Sequence, residues 1–417
     1  MKRLRLSVCC SSILAGFIFL ASSAAAQETA PPAKPYQPVT WKNGLQYESE
    51  DGNVLFRIGG YFQADGDFFV DDSQELATDT FFIRRGRLIL DGSFWKRFDF
   101  RFSPDFGQGK MTLYDAYLDM KLSDAFRLRM GKARAPLGLE RQQSATNITM
   151  VERALPTNLV PVRDLGLQAQ GDFANGVLSY AAGVFNGVPD AVNGDTDTDD
   201  GKDGAARIFA RPFKNSSAAG LQGLGFGVAG SFGNAVGALP VYKTTGLNTF
   251  FQYLATSTSD GRRTRLNPMA YYYVGPFGLM GEYVESAQEV RNGTALEDIH
   301  NRSYMATASW VVSGEKVTYE GVVPENPMGP AEGGKGALQL ALRYNVLRVD
   351  ELAFPIFANP DVAAERASAW GLGINWYLNY NVRFSFQAEW TQFQGGAPAG
   401  ADREDEKALL IRLQLRT

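Results

Sequence analysis

Cysteine and histidine are almost absent from the 417-residue chain, with 2 and 1 copies respectively. Both cysteines, Cys9 and Cys10, fall within the first ten residues. A mature chain cut after this region has no disulfide framework and no thiol chemistry. The lone histidine argues against most metal sites and against histidine-dependent catalysis. Long apolar runs are missing too: mean hydropathy is −0.20, too polar for a bundle of membrane helices. There is no basic excess, since 41 Lys and Arg face 45 Asp and Glu, so a nucleic-acid binder is not expected.

What is present is aromatic and glycine-rich: 12% Phe, Trp and Tyr, and 44 glycines. That aromatic content excludes a disordered chain. At the start, Lys2, Arg3 and Arg5 precede an apolar run from Ile13 to Ala21, and Ala24-Ala25-Ala26 supplies a small-residue cut. This pattern predicts a secretory signal peptide over 1–26, too short to span a bilayer. Its removal takes the formal net charge from −4 to −7. Residues 27–53 read as an N-terminal periplasmic lead-in, flexible over 27–44 where four prolines fall.

From Val54 onward the dominant period is two. Phe98-Asp99-Phe100-Arg101-Phe102-Ser103 and Val382 to Trp390 alternate apolar with polar residues, as do Phe126 to Gly131 and Leu409 to Arg416. Such alternation means strands with one apolar and one polar face. A soluble sandwich would pack the apolar faces together, whereas a membrane barrel turns them to lipid and lines a lumen with the polar ones. The leader, strands of about ten residues and uneven connections favour the barrel. Tight connections are expected at Gly275-Pro276 and Asn379-Tyr380-Asn381, and long polar loops at 188–204 and 286–302. Candidate strands begin near 54, 80, 98, 112, 126, 164, 176, 205, 223, 263, 277, 301, 336, 368, 382 and 407, about sixteen in all. Residues 248–256 read as loop.

The alternation puts Arg85, Arg87, Arg101, Arg127, Arg129, Arg207, Arg211, Arg343, Arg383 and Arg412 on the polar face. Asp99, Asp105, Asp115, Asp119, Glu282 and Glu389 share it, so some of these arginines are paired. An arginine fork suits oxyanions because it is planar, always charged and rich in donors.

Several strings resemble the phosphate- and polyphosphate-selective porin family. They include Phe81-Phe82-Ile83-Arg84-Arg85-Gly86-Arg87-Leu88, Pro136 to Arg141, Glu152 to Pro156 and Arg163-Asp164-Leu165-Gly166. Later come Arg265 to Pro268, Tyr271-Tyr272-Tyr273, Gly275 to Leu279, Ser313 to Lys316 and Gly373 to Tyr377. The resemblance implies an all-β transmembrane antiparallel barrel of sixteen strands over 54–417, with an inward-folded third loop at 135–163. It also implies a homotrimer in the outer membrane. Carried over residue by residue, it puts an anion path at Arg141, Ser144 and Arg153, with Arg85, Arg87, Arg127, Arg129 and Arg207 on the wall. Ala145 departs from it, standing where a second hydroxyl is expected, and Thr146 follows. Arg153 could instead pair with Glu152 or Glu140, and Arg163 could fix the loop's return to the wall.

The resulting expectation is a passive, anion-preferring outer-membrane porin for phosphate, polyphosphate or other small anions, with no catalytic residue, metal or cofactor. A general or sugar-selective porin is the competing reading, with Tyr114, Tyr117, Tyr271 and Tyr273 as an aromatic slide. An adhesin or structural outer-membrane protein is a third. The stretch Asp195 to Gly201 looks like the start of a calcium loop, but the glycine is one place late and Ala206 stands where a bidentate Glu would sit. It reads as a solvated external loop.

Overall fold

The computed structural model describes residues 39–41, 43–73, 77–197, 199–329 and 333–417. The expected signal peptide and the first part of the lead-in lie outside the described residues. Sixteen antiparallel strands form one closed barrel. The first eight are β1 (Val54–Val70), β2 (Thr80–Phe94), β3 (Phe98–Asp105), β4 (Thr112–Ser123), β5 (Phe126–Ala133), β6 (Asp164–Phe173), β7 (Leu178–Phe185) and β8 (Asp203–Ala210). Then come β9 (Leu224–Gly237), β10 (Ser257–Val274), β11 (Phe277–Asn292), β12 (Ala295–Val311), β13 (Ala337–Arg348), β14 (Ala364–Tyr377), β15 (Val382–Gly395) and β16 (Glu406–Arg416). Closure pairs β16 with β1 from Lys407↔Val70 to Arg416↔Tyr61. The lower part of β1 pairs instead with Leu45–Glu48, which makes a small hairpin with Thr40–Trp41.

The two faces are arranged opposite to those of a soluble protein. On β15 the rings of Phe384 and Phe386 are exposed, while Arg383, Ser385, Gln387 and Glu389 are buried. Phe81, Met130, Phe226 and Leu372 are likewise exposed on their strands. Apolar-out and polar-in is what a strand needs when lipid surrounds the barrel. Trp376 and Trp390 keep their rings outward and donate their indole N–H groups to Lys335 O and Asp405 Oδ2, both at 2.9 Å. A ring half in lipid with its polar edge satisfied is suited to a membrane interface.

Most long connections leave one end of the barrel, among them 134–163, 186–202, 238–256 and 349–363. Most of the tight ones, such as 275–276 and 378–381, gather at the other end, where 211–223 and 312–336 are longer. The expected loop over 286–302 is not there. The β11–β12 ladder runs unbroken to Asn292↔Ala295. Its tip turns polar on the outward face, with Glu289, Arg291, Asp298 and His300, and mixed on the inward one, which erases the alternation without breaking the hydrogen bonds. Its inward Val290 and Ile299 are fully buried with Phe251 and Phe357 of neighbouring connections. Within 238–256, Thr249–Gln252 pairs with Val241–Lys243 outside the barrel sheet.

The buried wall is held by charge pairs. Arg343 and Glu389, both without exposed side-chain surface, meet at 3.2 Å, and Arg412 meets Asp65 at 2.5 Å. Removing one member of a buried pair strands the other. Glu389→Ala should therefore destabilise the folded barrel by about 3–5 kcal/mol, while Arg343→Met/Glu389→Met should cost clearly less. Urea midpoints of the refolded protein in detergent check this ordering.

Candidate functional site

The connection 134–163 cannot continue as strand. Pro136, Pro156 and Pro161 each remove a ladder donor, and Gly138 turns the chain at φ +76°, where a Cβ would come within 2.7 Å of that of Arg141. The segment forms only a short helix, Leu139–Gln142, and a 3₁₀ turn, Leu155–Leu159. Its unpaired backbone groups must find partners elsewhere, and the polar faces of seven strands provide them, β16 through Arg412 and Gln414. Asn267 accepts from Gly138 N at 2.8 Å, and the Glu282 carboxylate accepts from Leu139 N and Glu140 N at 2.7 and 3.1 Å. Asn345 accepts from Leu155 N at 2.9 Å, and Gln387 accepts from Val151 N at 2.7 Å. In return, Gln63, Asn375, Arg383 and Arg343 donate to the carbonyls of Ala145, Thr149, Ile148 and Glu152.

Beside this segment lies a cavity of about 250 Å³. Arg84, Arg85 and Arg87 of β2, Arg134, Arg141, Arg153 and Arg163 of the segment, and Lys243 of 238–256 line it, and Glu152 is the only carboxylate among its lining residues. The cations fall into two groups. Arg84 bonds Glu152 at 2.8 Å, Arg87 bonds Asp105 at 2.7 Å and Arg163 bonds Asp115 at 2.6 Å. Arg85 donates to Gln63 Oε1 at 2.7 Å and lies 3.6 Å from Glu152. These four are neutralised or close to it.

Arg134, Arg141 and Arg153 are held differently, by main-chain carbonyls. Arg134 donates to Gln142 O at 3.1 Å, Arg141 to Thr157 O at 2.6 Å and Arg153 to Gln143 O at 2.8 Å. None has a carboxylate partner among the described residues, and the Nε atoms of Arg134 and Arg141 are buried without any partner. Arg153 therefore does not pair with the side chain of Glu140 or Glu152; besides Gln143 O it reaches the Glu140 carbonyl, at 3.3 Å. Burial, with the Arg163 guanidinium nearby, pushes Arg134 down to about 9 and Arg141 to about 10. Burial and Arg141 push Arg153 to about 10. All three still carry full charge at neutral pH.

Of the residues singled out from sequence, Arg85, Arg87, Arg141 and Arg153 meet in this cavity. Ser144 does not. It lines a second cavity of about 230 Å³ with Thr146, Asn147, Arg57, Arg101 and Arg416. Ala145 lines the first, so 144–146 borders both, with the Ser144 and Thr146 hydroxyls 2.8 Å apart. Arg127 and Arg129 line neither cavity and lie against Asp119, at 3.9 and 2.7 Å. Arg207 on β8 also lines neither. Arg163 bonds Asp115 of β4 and donates to Val162 O at 2.7 Å, fastening the segment where it rejoins the wall.

Arg84, Arg134 and Lys243 were not singled out. Strict alternation turns Arg84 outward, but the β1–β2 register slips between Gln63 and Ala64, which pair with Arg85 and Ile83. A bulge of this kind puts two consecutive residues on one face. Arg134 and Lys243 lie off the barrel strands, where period two carries no information. Tyr114 and Tyr117 do not form a free slide, since the Arg87 and Arg129 guanidiniums cover their rings at 3.7 and 3.9 Å. In the acidic loop, Asp195 bonds Lys132, Asp197 bonds Lys202 at 2.6 Å, and Asp199 accepts from Gly201 N at 2.6 Å and Val236 N at 3.0 Å.

Burial alone would raise the Glu152 carboxyl, but Arg84, Arg85 and Arg412 overcome it and hold the group well below the ordinary 4.5. A lowered folded-state value stabilises above the unfolded value and is lost as pH falls toward the folded one. Glu152→Gln should thus lower the neutral-pH melting temperature and reduce its fall between pH 4 and pH 2. Tryptophan-fluorescence melts across that range test it.

Comparison with known proteins gives a consistent picture. The family described as phosphate-selective porin O and P matches residues 56–417. Porin O of Pseudomonas aeruginosa is 23% identical over 383 residues, covering 82% of this chain and 84% of that one. Among solved structures, an anion-selective porin from Comamonas acidovorans superposes with a TM-score of 0.53 at 11% identity, over 87% of this chain and 100% of that one. A trimer form of OmpT from Vibrio cholerae gives 0.52 at 10% identity, over 87% and 99%.

Proposed function

The chain belongs to the phosphate-selective porin O and P family, and from that membership we propose a homotrimeric, anion-preferring channel for phosphate or polyphosphate. Family and barrel together make it an outer-membrane channel rather than an enzyme. The observation that carries the narrower reading is the cavity where seven arginines and a lysine face a single carboxylate.

A channel must replace part of an anion's hydration and still let it go. Arg134, Arg141 and Arg153 suit that role because carbonyls orient them without neutralising them. Their unused N–H groups can donate to a passing oxyanion, and leaving costs only the return of water. Arg84, Arg85, Arg87 and Arg163 are already engaged by acids or an amide, so they shape the passage more than they bind in it. Arg127 and Arg129, held by Asp119, belong with this second group, and Arg207 stands apart from both cavities. Ser144 and Thr146 offer neutral donors on the far side of Ala145. In the second cavity Asp91 pairs Arg57 and Arg101, each at 2.6 Å, so a phosphate chain long enough to touch both cavities would meet one further cation there, Arg416, which supports polyphosphate as cargo. The homotrimer reading draws on the trimer form of the OmpT neighbour.

Planar-bilayer recordings test the proposal. A reversal potential in a salt gradient should show chloride favoured over potassium, and phosphate should block chloride current. Loss of one charge-assisted bond is worth about 1.5–3 kcal/mol, so Arg141→Ala or Arg153→Ala should raise the half-blocking phosphate concentration by about ten-fold or more. Cation preference overturns the anion reading; block by oligosaccharide but not by phosphate favours the sugar channel.

A further inference from the structure

Charge also gathers on the outside of the barrel, where the lumen reading gives it no work. Arg302 of β12 stands opposite Arg348 of β13, and Arg348 opposite Arg366 of β14, in the strand register. All three share the outward phase of their strands. Two, four and six residues further along, on those same outward phases, lie Tyr304, Trp370 and Leu342, all exposed. The row sits at the end of the barrel with most of the long connections, since β13 ends at Arg348 and β14 begins at Ala364. Just inside it, toward the barrel middle, runs a belt of rings: Tyr304 and Tyr344 have centroids 6.3 Å apart, Tyr344 and Trp370 4.6 Å. Trp390 follows, paired with Trp370 on β15.

Like charges directly opposite each other on neighbouring strands, about 4.8 Å apart, destabilise a sheet. Something must offset three in a row, and the protein supplies little. Glu285 bonds Arg302 at 3.2 Å, while also accepting from the Tyr283 hydroxyl at 2.8 Å and lying 3.1 Å from His300 Nδ1. Arg348 and Arg366 have no carboxylate partner among the described residues, and Arg366 Nε is buried without any partner. Three guanidiniums at one height, two of them without a carboxylate partner among the described residues, above an aromatic belt and exposed apolar surface, fit a molecule that is anionic at its head and apolar below. Free phosphate would use only the upper half of such a surface.

We infer that Arg302, Arg348 and Arg366 bind the phosphate of an anionic lipid headgroup in the outer leaflet, with the belt of Tyr304, Tyr344 and Trp370 against the lipid's apolar part. The row acts as a lipid clamp that sets the barrel's depth and is separate from the anion path.

The purified full chain in detergent, titrated with bisphosphorylated lipid A and followed by native mass spectrometry, provides the test. Bisphosphorylated lipid A should bind at least about ten-fold more tightly than its dephosphorylated form, as expected for one or two charge-assisted bonds. Arg348→Gln/Arg366→Gln should remove that preference and leave phosphate block of the channel current unchanged. Equal binding of the two lipids, or unchanged preference in the double variant, overturns the inference. So does full displacement of the lipid by millimolar orthophosphate, which would assign the row to the free ion. Loss of the oligomer in the double variant with lipid preference intact would assign it to a contact between copies, and also overturns it.

Discussion

Backbone that is neither helix nor strand can lie against the inside of a barrel only if every N–H and C=O finds a partner, and much of this structure follows from that requirement. Segment 134–163 brings a long stretch of such backbone to the wall, where most of it is buried. The inward residues answer it one by one: amides of Gln63, Asn267, Asn345, Asn375 and Gln387, the carboxylate of Glu282, and the guanidiniums of Arg343 and Arg383. A porin lumen is usually described as polar because water fills it. Here much of the polarity serves the segment.

The same requirement sorts the arginines. Guanidiniums that meet Asp65, Asp105, Asp115 or Glu389 brace the wall. Arg134, Arg141 and Arg153, which reach carbonyls of the segment and no carboxylate among the described residues, keep their charge uncompensated. Acid placement, more than arginine number, therefore decides where positive potential remains, and a chain with net charge −4 can still hold a strongly cationic cavity. Loop aspartates such as Asp197 and Asp199 add to the total without entering the balance inside.

Strand positions were almost fully legible, because lipid outside and polar lumen inside enforce period two wherever the wall crosses the membrane. Legibility ended where one of those solvents ended. Past the membrane the outward face of the β11–β12 tip becomes polar and the inward face turns partly apolar with Val290 and Ile299, so 286–302 reads as loop while remaining ladder. At Arg84 a bulge slips the register and defeats strict alternation. Arg141 and Arg153 came from family likeness, since nothing in their spacing marks them, and Lys243 reaches the cavity through a hairpin that no period announces. Two bonds between Asn158 and the Lys243 backbone, at 3.0 and 3.1 Å, pin that hairpin to the segment.

The seam between β1 and β16 has a consequence for assembly. Gly60 and Thr417 bond across it at a sequence separation of 357, so closing the sheet carries a loop entropy of roughly 5 kcal/mol beyond the constant term. Every other wall pairing joins neighbours in the chain and can form progressively. Until this one forms, both terminal strands present open edges with unpaired amides, which lipid cannot satisfy. The half-built barrel is therefore the species that most needs protection, and its vulnerability is concentrated in two strands.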